Sequence, residues 1–253
     1  MLNIALNTFR EIIRNKFLYM ILFFAFVFIV FSILLGTLTL GDDKKLIVDF
    51  GLAMIEIFWI IWVLFVGSQL LFREVEWKTI FLILSKPIKR KDFILGKFAW
   101  FSLTIFLIIL FQALLFLAVL FFKDIEITKL ILVSIFFTYL KLEILLALVL
   151  FFSSFMSNMI TILVSVLFYL VAHSFSLLLD LVIRTKNTIL ITSSKILQLL
   201  FPNFEALNTK DLIWSFWELT LKYVSFNTFY ALIYLALILF FTVIIFNRKK
   251  FEN

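Results

Sequence analysis

The sequence has no cysteine, one histidine, two prolines and five glycines, and only 15% of its 253 residues are charged. Without cysteine there is no disulfide and no thiolate metal site. A lone histidine, His173, excludes the multi-histidine zinc motifs of intramembrane metalloproteases and is the only histidine base on offer to a serine nucleophile. The glycines stand apart, at 36, 41, 51, 67 and 96, and no G-x-x-x-x-G-K-[ST] phosphate loop is present. Neither proline lies within a long apolar run, so the paired, interrupted spans common in secondary carriers are not seen.

What is present is apolar. Hydrophobic residues make up 64% of the chain and mean hydropathy is +1.17. Several predominantly apolar runs exceed about 18 residues, enough to cross about 30 Å of hydrocarbon. They do not alternate apolar with polar, as strands of a membrane barrel do. The expected fold is therefore all-α, a single polytopic membrane domain over 1–253. Its six spans are placed near 17–40, 50–72, 98–122, 128–153, 159–182 and 226–246. Residues 1–16 place Ile4, Leu6, Phe9, Ile12 and Ile13 on one broad helical face, which suits an interfacial helix; a charged flank of the first span is the alternative. A cleaved signal peptide is not expected, because the run 17–40 is too long and no A-x-A site follows it.

Charge orients these spans. The segments 1–16, 73–97 and 247–253 hold 13 basic and five acidic residues, while the opposite loops hold nine of each. Basic loops stay in the cytoplasm, so both termini and 73–97 are expected there. On the outer side, Lys123–Glu126 reads as a tight turn and 183–225 as the longest non-spanning piece. Pro202 and Asn203 break that piece. Within it Lys210–Tyr223, KDLIWSFWELTLKY, reads either as an interfacial helix rich in Trp or as a loop packed on the bundle. The inner turn Ser153–Asn158 carries Ser and Asn suited to capping helix ends.

The segment 73–97, REVEWKTIFLILSKPIKRKDFILGK, is the longest strongly charged stretch between apolar runs. Trp77, Ile80, Phe81 and Leu84 recur at helical spacing, which extends the second span as an amphipathic helix. Pro87 should stop it, because the residue before proline avoids the α region. Lys89, Arg90 and Lys91 then fall at headgroup level, and Gly96 leaves room for close helix approach. An ordinary positive-inside loop accounts for the basic residues but not for the amphipathic turns around a proline.

This segment resembles the signature between spans two and three of ABC (ATP-binding cassette) transporter permeases of the second, exporter type, the ABC-2 family. The matching positions are Glu74 or Glu76, Thr79, Leu84, Ser85, Lys86, Pro87, Ile88, Arg90, Gly96 and Lys97. NTFREIIRNK resembles that family's entry helix, LFPNFEALN at 200–208 its outer Pro-Asn element, and FNRKKF at 246–251 its basic end. The ionisable pair in span four departs from the pattern. The resemblance implies a permease subunit, not itself an enzyme, in the cytoplasmic membrane of a prokaryote. It implies pairing with a second copy or a sister permease, and docking of a cytoplasmic ATPase on a coupling helix in 73–97. The docking residues would be Glu74, Glu76, Thr79, Leu84, Ser85, Pro87, Arg90, Gly96 and Lys97. ATP would be bound by the partner; no catalytic, metal or cofactor site is expected in this chain, and no nucleic acid. The substrate is left open.

Glu56, Lys141 and Glu143 fall inside expected spans, where a charge costs about 2.5–3.5 kcal/mol and so needs a partner or water. Lys141 and Glu143, two residues apart on one helix, do not face each other. A Lys141–Glu56 pair between spans two and four is expected. His173 is expected as a hydrogen-bonded packing residue. A secondary transporter using Glu56, Lys141 and Glu143, or an integral-membrane enzyme, stands as the alternative; a neighbouring ATPase gene would separate them from the permease.

Overall fold

The computed structural model describes residues 43–76, 89–185, 187–198, 201–215 and 219–248, together with Phe23, Val27, Phe28, Phe31 and Leu34. The described residues are helical and contain no strand. In chain order the helices are α1 (Asp43–Glu76), α2 (Arg90–Phe122), α3 (Lys129–Ser153), α4 (Asn158–Arg184), α5 (Thr188–Gln198) and α6 (Leu221–Arg248). Single 3-10 turns lie at Glu205–Leu207 and Lys210–Leu212. Five of the helices, α1 to α4 and α6, are long and apolar enough to cross a membrane. Of the expected first span only the five single positions above are described, and each is helical. The entry helix over 1–16 lies outside the described residues.

α3 is the axis of the bundle. It is predominantly apolar, its polar Ser134, Thr138, Lys141 and Glu143 are buried as well, and every residue from Leu140 to Leu150 is buried. A helix buried on all sides gives no face to water, so neighbours must cover it. α1, α2, α4 and α6 all pack on it. The outer helices keep an apolar face uncovered: Leu103, Phe106, Leu110 and Leu114 on α2, Leu163, Leu167 and Leu170 on α4, and Leu237, Phe240 and Phe241 on α6. That is the pattern of helices facing lipid, where close packing and interhelical hydrogen bonds hold a bundle together. Between α1 and α2, Trp59 meets Trp62 edge-on at 5.0 Å, Trp62 stacks on Phe101 at 4.7 Å, and the Trp59 indole N–H donates to buried Gln112 at 2.5 Å.

Glycine matters at one contact in particular. A Cβ added to Gly51 would sit 2.3 Å from the Phe116 ring and 2.9 Å from that of Phe28. Both rings lie against bare α1 backbone, edge-to-face with each other at 5.8 Å. At Gly96 the expectation of close helix approach is corrected: no described atom comes within 4 Å of a Cβ built there.

The turns follow local chemistry. Between α2 and α3, Asp124 takes a left-handed conformation (φ 51°) and the Ile125 amide closes on the Leu120 carbonyl at 3.0 Å. Aspartate tolerates that region better than most residues. Between α3 and α4, the hydroxyls of Ser153 and Ser154 donate back to Leu150 and Phe151, at 3.1 and 2.6 Å. Serine thus acts at the end of α3, whereas Ser157 at the start of α4 makes no side-chain cap.

Several boundaries differ from expectation. α2 begins at Arg90, so 90–97 is helix continuous with the span, and α1 begins at Asp43. Of the two readings of 210–223, the described residues follow the loop packed on the bundle and not the interfacial helix. Lys210–Leu212 is a 3-10 turn, the chain turns again to Ser215, and α6 begins at Leu221. Tertiary contacts outcompete the amphipathic pattern there: Ile213 is buried in the core with Leu212 and Leu219 against it.

Candidate functional site

Three side chains from three parts of the fold converge on one carboxylate, that of Glu56. Helical rise places Glu56 on α1 about 10 Å inward of Asp49. Lys141, 1% exposed, comes from the buried stretch of α3 and pairs with Glu56 Oε1. This is the pair expected from the sequence. Tyr169 on α4 donates its hydroxyl to the same oxygen at 3.0 Å. Lys210 reaches in from the irregular 201–215 segment, pairs with Oε2, and donates to the Leu52 carbonyl at 3.1 Å. Burial holds the Lys210 ammonium below the ordinary lysine range, and the Glu56 charge offsets only part of that.

The 201–215 segment is fastened against the same end of the bundle. Phe204, Leu207 and Thr209 are buried, with the Thr209 and Ser134 hydroxyls 2.7 Å apart. The Asn203 amide donates to the Tyr230 hydroxyl at 2.9 Å, the Tyr223 hydroxyl to the Ala206 carbonyl at 2.9 Å, and the Trp214 indole to Asp49 at 2.9 Å. Irregular backbone at membrane depth is tolerated where protein covers it and satisfies its polar groups.

Under this segment, between α1 and α4, is a cavity of about 300 Å³. Glu56, Tyr169, His173, Asn208, Lys210 and Asp211 give it a polar side; Ala53, Ile57 and Ile60 give it an apolar one. The His173 ring lies parallel to Tyr169 at 6.0 Å. Its Nδ1 is buried with no hydrogen-bond partner among the described residues, so the expected hydrogen-bonded packing role is corrected at that atom. A second cavity, of about 370 Å³, lies among α3, α4 and α6 and is lined by Leu148, Phe151, Phe152, Phe168, Leu237, Ile238, Phe241 and Tyr234.

Glu143 does not join the cluster. It is 3% exposed and lies beside the hydroxyls of Ser102 of α2 and Tyr139 of α3, which are themselves 3.3 Å apart. Its Oε1 has no partner among the described residues.

At the opposite end of the bundle, α1 and α2 frame the charged segment. Lys97, 5% exposed, pairs with Glu74 at 2.5 Å. Arg90 donates to the Phe246 and Asn247 carbonyls at 3.3 and 3.0 Å, capping the C-terminus of α6, where a cation complements the helix dipole. Glu76 is exposed at the end of α1. Of the two acidic candidates, then, Glu74 is engaged within the fold and Glu76 faces outward. Thr79, Leu84, Ser85 and Pro87 lie outside the described residues.

Sequence reasoning missed Lys210 and Tyr169. Lys210 stands at the head of the 210–223 segment, for which an interfacial helix and a loop packed on the bundle were both open, and neither reading points it at Glu56. A signal existed: Glu56, Lys141 and Glu143 sum to −1 within the spans, and Lys210 follows the broken Pro202–Asn203 stretch that could carry it inward. Tyr169 had none, since a tyrosine in an apolar run also reads as packing. Compared with the models of known protein families the chain matches none, and no curated protein matches it significantly.

Proposed function

We propose that this chain is the membrane-spanning permease subunit of an ATP-driven transporter of the ABC-2 type, with 73–97 as the docking element for a separate cytoplasmic ATPase. The observation that carries the reading is the frame around that segment. α1 and α2, of 34 and 33 residues, are each about 50 Å long against about 30 Å of hydrocarbon. Their charged ends bracket the L-S-K-P-I-K-R element, and the Glu74–Lys97 pair ties one leg to the other. Arg90 ties the second leg to the end of α6. A push on 77–89 therefore has a stiff route into three helices. The chain carries no phosphate loop, so ATP belongs to the partner, and the basic end belongs in the cytoplasm.

The test is reconstitution of the purified chain with its ATPase. ATP hydrolysis by the complex is expected to exceed that of the ATPase alone and to fall to the unstimulated level with Glu76→Lys plus Pro87→Ala. Unchanged hydrolysis in that variant overturns the docking role.

One observation favours a secondary carrier instead. The charged Glu56–Lys141–Lys210 cluster lies beside irregular, buried backbone, the setting in which carriers hold ions and substrate. Transport driven by an ion gradient in vesicles free of ATP would select that reading.

A further inference from the structure

The cavity beside Glu56 has a charge arrangement that favours one class of ligand. Glu56 is shared by two lysines, only one of which, Lys210, lines the cavity. An incoming anion can take Lys210 while Glu56 stays paired with Lys141, so every buried charge keeps a partner. An incoming cation would have to displace a lysine from Glu56 and leave a buried ammonium unpaired, which is far costlier. Asp211 also lines the cavity and opposes an anion. It is exposed, accepts from the Asn208 amide at 3.1 Å, and is screened by water and salt. The buried Nδ1 of His173, at the same wall, is a further polar atom without a partner among the described residues.

Size and surroundings narrow the ligand further. About 300 Å³ is at the small end of ligand pockets and holds a headgroup, not a whole lipid. Ile57 on the cavity wall is 53% exposed and Leu170, on the neighbouring helix, 54%. Both belong to faces turned away from the bundle, so an apolar tail would leave the cavity along a surface that already suits hydrocarbon.

We propose that this cavity binds the phosphate-ester head of an amphiphile from the leaflet at the Asp49 end, with Lys210 receiving the anion and the tail lying along Ile57. The proposal rests on the ion cluster and the cavity, not on ATPase docking, so either can fail without the other. The test is native mass spectrometry of the purified full chain in detergent, with equal amounts of phosphatidylglycerol and phosphatidylcholine. About fivefold preference for the anionic lipid is expected, as one basic contact provides. Lys210→Gln should bring the two lipids to parity. Ile57→Trp, which narrows the opening without touching the ion pairs, should reduce phosphatidylglycerol retention. Inorganic phosphate separates the sources: competition shows that the head alone suffices, and its absence shows that the tail is required, both within the proposal. Equal retention of the two lipids by the wild type overturns it. So does a preference that survives Lys210→Gln.

Discussion

Glu56 and Lys141 form one ion pair, yet their removal should have unequal consequences. Glu56→Gln leaves Lys141 and Lys210 both without a carboxylate, and a buried charge stripped of its partner costs about 3–5 kcal/mol. Lys141→Met leaves Glu56 still paired with Lys210. Thermal unfolding in detergent should therefore show a clearly larger loss for Glu56→Gln; equal losses would mean that Lys210 does not share the carboxylate. Glu143 behaves differently. Its polar neighbours are the hydroxyls of Ser102 and Tyr139, which an amide can also serve. Glu143→Gln is expected to change stability by about 1 kcal/mol or less. The same contrast shows what the sequence could reveal. A charge in a span must find a partner, so a link between Glu56 and Lys141 was readable. That Glu143 settles among hydroxyls was not, because serine and tyrosine carry no signal in an apolar run.

Among the elements, two glycines make opposite predictions. Gly51→Ala drives a methyl into Phe116 and Phe28, and such overpacking costs about 1–3 kcal/mol. Gly96→Ala meets open space within the fold and should be neutral, or stabilising by up to about 1 kcal/mol through helix propensity. Unfolding midpoints of the two variants check the pair, and loss of stability on Gly96→Ala would contradict the packing described here. If Gly96→Ala instead impairs ATPase stimulation while stability holds, close approach belongs to the partner. The five long helices were legible to within several residues, because apolar length is a strong signal, whereas the short α5 at Thr188–Gln198 was not read as a helix. The 201–215 segment was not legible either. Its Trp, Phe and Leu pattern fits a surface helix equally well, and only contacts distant in sequence, Lys210 to Glu56 and Trp214 to Asp49, decide against one.

For the whole molecule, the irregular segment at one end and the charged frame at the other are joined by α1, which carries both Glu56 and Glu74. On the proposed reading, displacement of 77–89 by a partner ATPase would pass along α1 to the ion cluster and the cavity beside it, and this is the route by which ATP hydrolysis would reach the proposed ligand. The absence of cysteine makes the decisive measurement clean. Thr79→Cys gives a chain with one reactive thiol, which can carry a photocrosslinker in native membranes. The expected adduct, identified by mass spectrometry, is a protein bearing a G-x-x-x-x-G-K-[ST] phosphate loop, and Glu76→Lys with Pro87→Ala should abolish it. Adducts to lipid alone, or to proteins without that loop, would contradict the permease reading.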